Sequence, residues 1–507
     1  MKVKWLSILC LILLQSGLSQ ASSKSKSIQK IFQYLADNNL FNGAALVVNN
    51  GNVVYHGAFG YANMEWMIPN TTDTRFNIGS VTKQFTAVLV LQLADEGKIS
   101  LKDTISRYIP ELDNKFSDQM TIHQLLTHTS GLPSHYSTMD DYMKVGMRIP
   151  YTFQERLEQL RNLEFEFKPG TSWAYSGFGY TILGHIVARV TGRSLEDNYK
   201  ERIFRPLGMT QSGVMLDSRL VPRKAYGYQK KWDDSYMPAV YFSQTEAKLG
   251  GGGLYSTIED FLKWYKAVQG GSFFTEQMKK KYFKAHYRFP DGDGYCYGHY
   301  STKYKINENQ NVDVFYHGGS LPGASALVLR VPEKDQCVVL FHNAGMGHEE
   351  FLYEIATEVL NILYGKEFHY PKMSILYSVG ITALFDSIEE VRKHYYYLKN
   401  NLSDAYIFDP DQLNIMAMLL MQFGAIENIP GVLKLNIDEY PDRPSSYFEL
   451  GKFYSDVDEK YDLALEYLNK ALALSEGEMK KKIENKIEKV ETRKDEKSEP
   501  KQGIHEP

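Results

Sequence analysis

Strand-like sequence occurs near both ends of the first 365 residues, with a largely helical stretch between. Ala44-Ala45-Leu46-Val47-Val48, the turn Asn49-Asn50-Gly51-Asn52 and Val53-Val54-Tyr55 read as a β-hairpin, because Asn-Gly accepts the positive φ angles of a tight turn. Asp313 to Tyr316, Ala324 to Val331 and Gln336 to His342 are apolar runs split by turns, and Pro332-Glu333-Lys334-Asp335 joins the last two. Between these ends, Phe85, Val88, Leu89 and Leu93 recur at helical spacing. That spacing predicts a helix from Val81 to Glu96 with Gly97 as its stop. Helical sequence continues to about residue 265, and Glu349 to Leu363 forms a closing helix. Strands so distant in sequence can join into one antiparallel sheet with helices packed on it and the helical middle as an insert. The order is not an alternating βαβ one, so the expected fold class is α+β.

The flanks read differently. Lys2 and Lys4 precede the short apolar run Trp5 to Leu14, and Ser19-Gln20-Ala21 supplies small residues for cleavage. Residues 1–21 are therefore expected to be a signal peptide cleaved near Ala21, giving a secreted or periplasmic protein. The run is too short to span a bilayer core of about 30 Å comfortably, and no second such stretch follows, so no membrane span is expected after cleavage. Residues 22–30, rich in Ser and Lys, are expected to be a flexible leader to a first domain of residues 22–370. Past 370, strand signals disappear. Tyr447, Leu450, Gly451, Tyr454, Ala464 and Ala471 resemble a tetratricopeptide repeat, and Leu413 to Pro441 a poorer copy one period earlier. An all-α, tetratricopeptide-like domain is thus expected over 371–490, with a surface for a protein partner. The Lys- and Glu-dense end is expected to be a solvated helix fading into a disordered charged tail over 491–507.

Charge narrows the partners. The net charge is −4, and without Lys2 and Lys4 it becomes −6, from 55 basic and 61 acidic side chains. That leaves no basic footprint for nucleic acid. Cys10 departs with the signal, leaving Cys296 and Cys337. A disulfide and two buried thiols both fit the sequence. No cofactor or metal site is evident: His123 and His128 lack matching ligands and one or both read as structural, and Gly250 to Gly253 lacks the lysine of a P-loop.

Three motifs carry chemistry. Four Ser-x-x-Lys tetrads occur, beginning at Ser23, Ser27, Ser80 and Ser498, and only Ser80 opens a helix within the globular sequence. Residues i and i+3 share a helix face, which sets Lys83 beside the Ser80 hydroxyl, while the helix N-terminus favours developing negative charge. A serine becomes a nucleophile when a base takes its proton, and a lysine serves if burial lowers its pKa. Tyr175-Ser176-Gly177 precedes a helix over Tyr180 to Val190, and Tyr175 could relay a proton. His317-Gly318-Gly319-Ser320 ends the Asp313 to Tyr316 strand, where two glycines admit close backbone approach and the Ser320 N–H could join that of Ser80 in an oxyanion hole.

Taken in order, Ser80-Val81-Thr82-Lys83, Tyr175-Ser176-Gly177 and His317-Gly318-Gly319 resemble the serine β-lactamase and penicillin-binding protein superfamily. The branch of class C β-lactamases, D-alanyl-D-alanine carboxypeptidases and esterases fits best. Leu125 to Leu132, Pro206 to Met209 and Gly251 to Thr257 resemble it too, over roughly residues 28–365. The resemblance implies that Ser80 forms an acyl-enzyme, Lys83 and Tyr175 handle protons, and Ser80 and Ser320 amides hold the oxyanion. It implies a small-molecule or peptide substrate with an ester or amide carbonyl.

Two departures qualify it. Gly177 stands where the family carries asparagine, so a substrate-gripping amide is missing. His317-Gly318-Gly319 stands for Lys-Thr-Gly, which loses a hydroxyl and turns a permanent cation into a titratable group. The expectation is an esterase or D-amino-acid peptidase rather than a potent β-lactamase. The alternative is a catalytically weak, penicillin-binding-like sensor or scaffold that recruits a partner through its helical repeats.

Overall fold

The computed structural model describes residues 23–498, except 114, 134–145, 163, 231–234, 272–274, 346–347 and 423. The signal peptide expected over residues 1–21 lies outside the described residues. Two compact units part between Pro371 and Lys372.

The first unit is built on an eight-stranded antiparallel sheet. Its strands are β1 (Gly43–Asn49), β2 (Asn52–Phe59), β3 (Tyr287–Arg288), β4 (Gly294–Tyr295), β5 (Tyr300–Asn307), β6 (Gln310–Leu321), β7 (Ala324–Val331) and β8 (Gln336–His342). They lie in the order β3-β4-β5-β6-β7-β8-β1-β2. β1 pairs with β8 from Gly43 opposite His342 to Val48 opposite Cys337, which joins the two ends of the unit in one sheet. The β1–β2 turn places Asn50 and Gly51 at φ 49° and 75°, as a tight hairpin turn requires. β6 runs five residues past Tyr316, so His317 to Ser320 are strand rather than a terminating turn. Their partners are Val328, Leu327, Ala326 and Ser325 of β7.

The helix α1 (Thr82–Asp95) is buried on nearly every side, the pattern of a central core helix. It stops at Gly97, φ 69°, where the Lys98 N–H donates to the Leu93 carbonyl at 2.9 Å. α2 (Gly177–Thr191) packs on α1. Phe85 of α1 stacks on Trp264 of α3 (Ile258–Gly270), with ring centroids 4.0 Å apart. Truncating so buried a phenylalanine to alanine costs about 3–5 kcal/mol. α4 (Glu349–Leu363) lies against β6, β7 and β8.

Residues 23–37 correct one expectation. They form a helix, not a flexible leader. Ile28, Ile31, Phe32 and Leu35 fall on one face and are buried, and Phe32 stacks on Tyr55 of β2 at 5.2 Å.

The second unit is helical apart from one two-residue parallel pairing, Met373–Ser374 with Tyr406–Ile407. Its helices are α5 (Val379–Phe385), α6 (Ile388–Asn401), α7 (Pro410–Gln422), α8 (Ile429–Glu439), α9 (Pro444–Asp456), α10 (Tyr461–Ala473) and α11 (Gly477–Ser498). α7 packs on α8, and α9 on α10. The disorder expected over 491–507 is corrected for residues 491–498, which are helical. α11 runs to Ser498, with Ile483 and Val490 buried and Lys486 and Arg493 both bonded to Asp456 of α9. Residues 499–507 lie outside the described residues. No described helix is long and apolar enough to cross a membrane.

Candidate active site

Ser80 lies in a 3-10 turn, Gly79–Val81, that runs directly into α1. Lys83 follows on the same face. Its Nζ is 2.9 Å from Ser80 Oγ and 2.7 Å from the Gly251 carbonyl. Burial pushes the Lys83 ammonium down to about 7, since the charged form gains too little from its surroundings to replace lost water. The ring centroids of Tyr175 and Tyr180 lie 4.9 and 5.7 Å from Nζ.

The turn is clamped against β6. A Cβ on Gly319 would lie 2.1 Å from the Ile78 carbonyl oxygen and 3.0 Å from the Ser80 nitrogen. A Cβ on Gly79 would lie 2.9 Å from the Ser320 nitrogen. The backbones carrying the Ser80 and Ser320 amides thus approach more closely than any side chain at 79 or 319 allows. Gly318 faces away, where its absent Cβ makes room for the Glu349 side chain, with Cγ 2.5 Å from that position.

Ser80, Lys83, Tyr175, Gly177 and Ser320 line one pocket. His317 stands behind it, 2% exposed, its ring centroid 6.1 Å from that of Tyr175. A line of hydrogen bonds fixes the tautomer of its neutral ring. The Ser176 N–H donates to His128 Nδ1 at 3.1 Å, so His128 carries its proton on Nε2 and donates to Tyr295 Oη at 3.0 Å. The Tyr295 hydroxyl then donates to His317 Nε2 at 3.3 Å, and His317 Nδ1–H donates to the Gly318 carbonyl at 2.5 Å. An N–H that can only donate and a carbonyl that can only accept set every direction. Burial and the nearby Lys83 push His317 down to about 3, and burial drives His128 well below its usual range. The expected titratable cation is therefore corrected. His317 is a neutral imidazole at physiological pH.

Sequence reasoning brought Ser80, Lys83, Tyr175, Gly177 and Ser320 to this pocket but missed its support. His128 was expected to be merely structural, yet it belongs to the line behind Tyr175, and Tyr295 carried no signal of its own. Thr181, Phe242, Gln244 and Lys248 also line the pocket, and no sequence pattern marks the last three. Cys296 and Cys337 are separate buried thiols, each pushed up to about 12 by burial. No described residues form a cluster of three or more His, Cys, Asp or Glu side chains fit for a metal ion.

The sequence model of the Beta-lactamase family matches residues 28–359. This chain belongs to the Beta-lactamase family. Penicillin-binding protein 4* of Bacillus subtilis (strain 168) is 28% identical over 369 residues, covering 69% of this chain and 78% of that protein. The crystal structure of a penicillin-binding protein from Bacillus halodurans matches with TM-score 0.57 and 27% identity, over 66% of this chain and 98% of the other. An octameric penicillin-binding protein homologue from Pyrococcus abyssi matches with TM-score 0.58 and 29% identity, over 68% and 78%. In this Beta-lactamase family member, α5 to α11 lie beyond the matched residues.

Proposed function

We propose that this chain is an exported serine hydrolase that cleaves ester or D-amino-acid amide bonds through an acyl-enzyme on Ser80. The observation that carries the reading is the Lys83–Ser80 contact, together with the burial that brings Lys83 close to neutrality. As a neutral amine, Lys83 keeps one N–H on the Gly251 carbonyl and turns its lone pair to the Ser80 hydroxyl. Ser80 Oγ attacks the substrate carbonyl carbon as its proton passes to Lys83. The new oxyanion faces the Ser80 and Ser320 amides. Collapse expels the alcohol or amine, which takes the proton by way of Lys83 and Tyr175. Water then repeats the sequence on the acyl-enzyme and frees the acid.

The missing amide at Gly177 and the neutral His317 favour esters and D-amino-acid amides over β-lactams, since both changes remove groups that would grip a β-lactam's carboxylate and amide. The same changes support a second reading, a site that acylates and stalls. Pro410 and Pro444, the first residues of α7 and α9, are one 34-residue tetratricopeptide period apart, and such hairpins would give the sensor a surface for a protein partner.

The test uses the mature protein and its Ser80→Ala variant with p-nitrophenyl butyrate, a chromogenic cephalosporin and a D-alanyl-D-alanine peptide. Intact mass is measured after each. Turnover that vanishes in Ser80→Ala establishes the hydrolase. An adduct on Ser80 without turnover favours the sensor. Neither turnover nor adduct overturns both.

A further inference from the structure

The wall of the pocket formed by Gln244 and Lys248 has no role in the steps above. Both residues belong to the segment before the Gly250–Gly253 run, which passes beside Gly177. A Cβ on Gly251 would lie 2.8 Å from the Gly177 carbonyl and 3.6 Å from Thr181 Oγ1. Gly177, Gln244 and Lys248 thus share one pocket lining.

Gln244 is 9% exposed, and its side-chain amide has no hydrogen-bond partner among the described residues, although its backbone N–H donates to Asp217 Oδ2 at 2.8 Å. The amide lies against Gly253, whose absent Cβ would be 3.7 Å from Oε1. An amide that lines a pocket without a protein partner is placed to bond a ligand atom there. Four residues on, Lys248 is anchored by the Met147 and Ser243 carbonyls at 3.2 and 2.7 Å, with Nζ 4.3 Å from the Phe242 ring centroid. Two of its three N–H donors are thus used. It has no carboxylate partner among the described residues, because Asp217 is turned to Gln244, Ser243 and Tyr241.

We propose that Gln244 and Lys248 form a carboxylate-binding site in the substrate pocket, so that the natural substrate is a carbonyl compound bearing a carboxylate. The side-chain amide donates one N–H and the ammonium supplies charge and its third N–H. The groups missing at 177 and 317 are replaced from a different segment. Lys248 keeps a charge near neutral pH: burial first, with nearby Arg156, and against Asp217, lowers it only to about 8.

This inference rests on the hydrolase reading, and the test separates the two. Wild type, Lys248→Met and Gln244→Glu are assayed with two pairs of esters. One pair is p-nitrophenyl hemiglutarate, with its carboxylate in the acyl half, and its methyl-capped neutral twin. The other is 4-acetoxybenzoate, with its carboxylate in the departing half, and its neutral methyl ester. Wild type is expected to favour the anionic member of one pair in kcat/KM by about ten-fold or more. Which pair shows the preference tells the half that is read.

Gln244→Glu decides the matter, because it keeps the Lys248 anchors that Lys248→Met could disturb and sets a second carboxylate against the ammonium. Loss of the preference in Gln244→Glu supports the site. Its survival there, or no preference in wild type, overturns it. Calorimetry of glutarate with Ser80→Ala needs no turnover. Glutarate binding that Gln244→Glu abolishes retains the site even where no ester is hydrolysed, and the hydrolase reading alone then falls. No hydrolysis and no glutarate binding overturn both.

Discussion

Tyr295 orients the neutral ring of His317, donating its hydroxyl proton to Nε2 across 3.3 Å. Burial keeps the Tyr295 phenol far above its ordinary pKa, so this donor is present at every working pH. Tyr295→Phe leaves two buried ring nitrogens without partners, the Nε2 atoms of His128 and His317. Each orphaned group costs about 1–3 kcal/mol. We expect Tm to fall by roughly 5–10 °C in calorimetry. Tyr295 is a positioning residue behind Tyr175, so kcat should drop more than KM rises. A variant with unchanged Tm and kcat would remove the hydrogen-bonded line from the account.

Lys83 sets a pH dependence of activity. The neutral amine is the acceptor of the Ser80 proton, and its pKa lies near 7. The acylation rate should therefore rise with pH up to about 7 and level off above it, in kcat/KM for an uncharged ester. A profile that falls through this range would assign the base elsewhere.

Lys83 also shapes stability, with the sign opposite to that of a salt-bridged lysine. Its folded pKa lies below the unfolded value of 10.5, so between about 7 and 10.5 the unfolded state binds more protons and this residue's contribution to stability rises with pH. Below 7 both states are protonated and the folded state carries the full penalty of a buried ammonium. Lys83→Met should consequently raise Tm most below pH 7, and the gain should shrink toward pH 10, while activity is lost at every pH. Thermal melts of both proteins from pH 6 to 10 measure this.

The thiols should be inert in the native protein. Cys296 and Cys337 are 0% and 1% exposed, and both are pushed up to about 12. Thiolate is the reactive form, so an aromatic disulfide reagent at pH 8 should label neither until denaturant is added. Fast native labelling of either would contradict its burial.

How much of this was legible in the sequence follows from the range of each signal. The β1–β2 hairpin, α1, β7, β8 and α4 announce themselves by local period and turn residues, and they are present. Ser80 and Lys83 were legible because i and i+3 meet on any helix. The helix over 23–37 was hidden because its apolar face, Ile28 to Leu35, begins inside a Ser/Lys-rich run. His317 was expected among the substrate-binding residues but stands behind the pocket, inside a strand, as a neutral imidazole. Its neutrality comes from burial and from Lys83, which only the fold sets around it. Gln244 and Lys248 were invisible for the same reason, since a glutamine and a lysine in a loop carry no period at all.

The two glycines after His317 should differ sharply in tolerance. Gly319→Ala puts a methyl 2.1 Å from the Ile78 carbonyl oxygen and 3.0 Å from the Ser80 nitrogen, and both are backbone. Neither can yield without moving β6 off the turn that holds the nucleophile. A displaced oxyanion donor costs about 10²–10³ in kcat. Gly318→Ala meets Glu349 Cγ and Cβ at 2.5 and 2.7 Å, on the other side of the strand. Glu349 Cβ is fixed to the backbone of α4, so Gly318→Ala must push that helix and should lower Tm, but the strain falls away from Ser80 and activity should stay within about ten-fold of wild type. Burial raises Glu349 to about 7, so moving it toward water should return its pKa toward the carboxylate range, visible by NMR titration. Equal losses in the two variants would show that the clamp between Gly319 and Ser80 is not what holds the oxyanion donors in place.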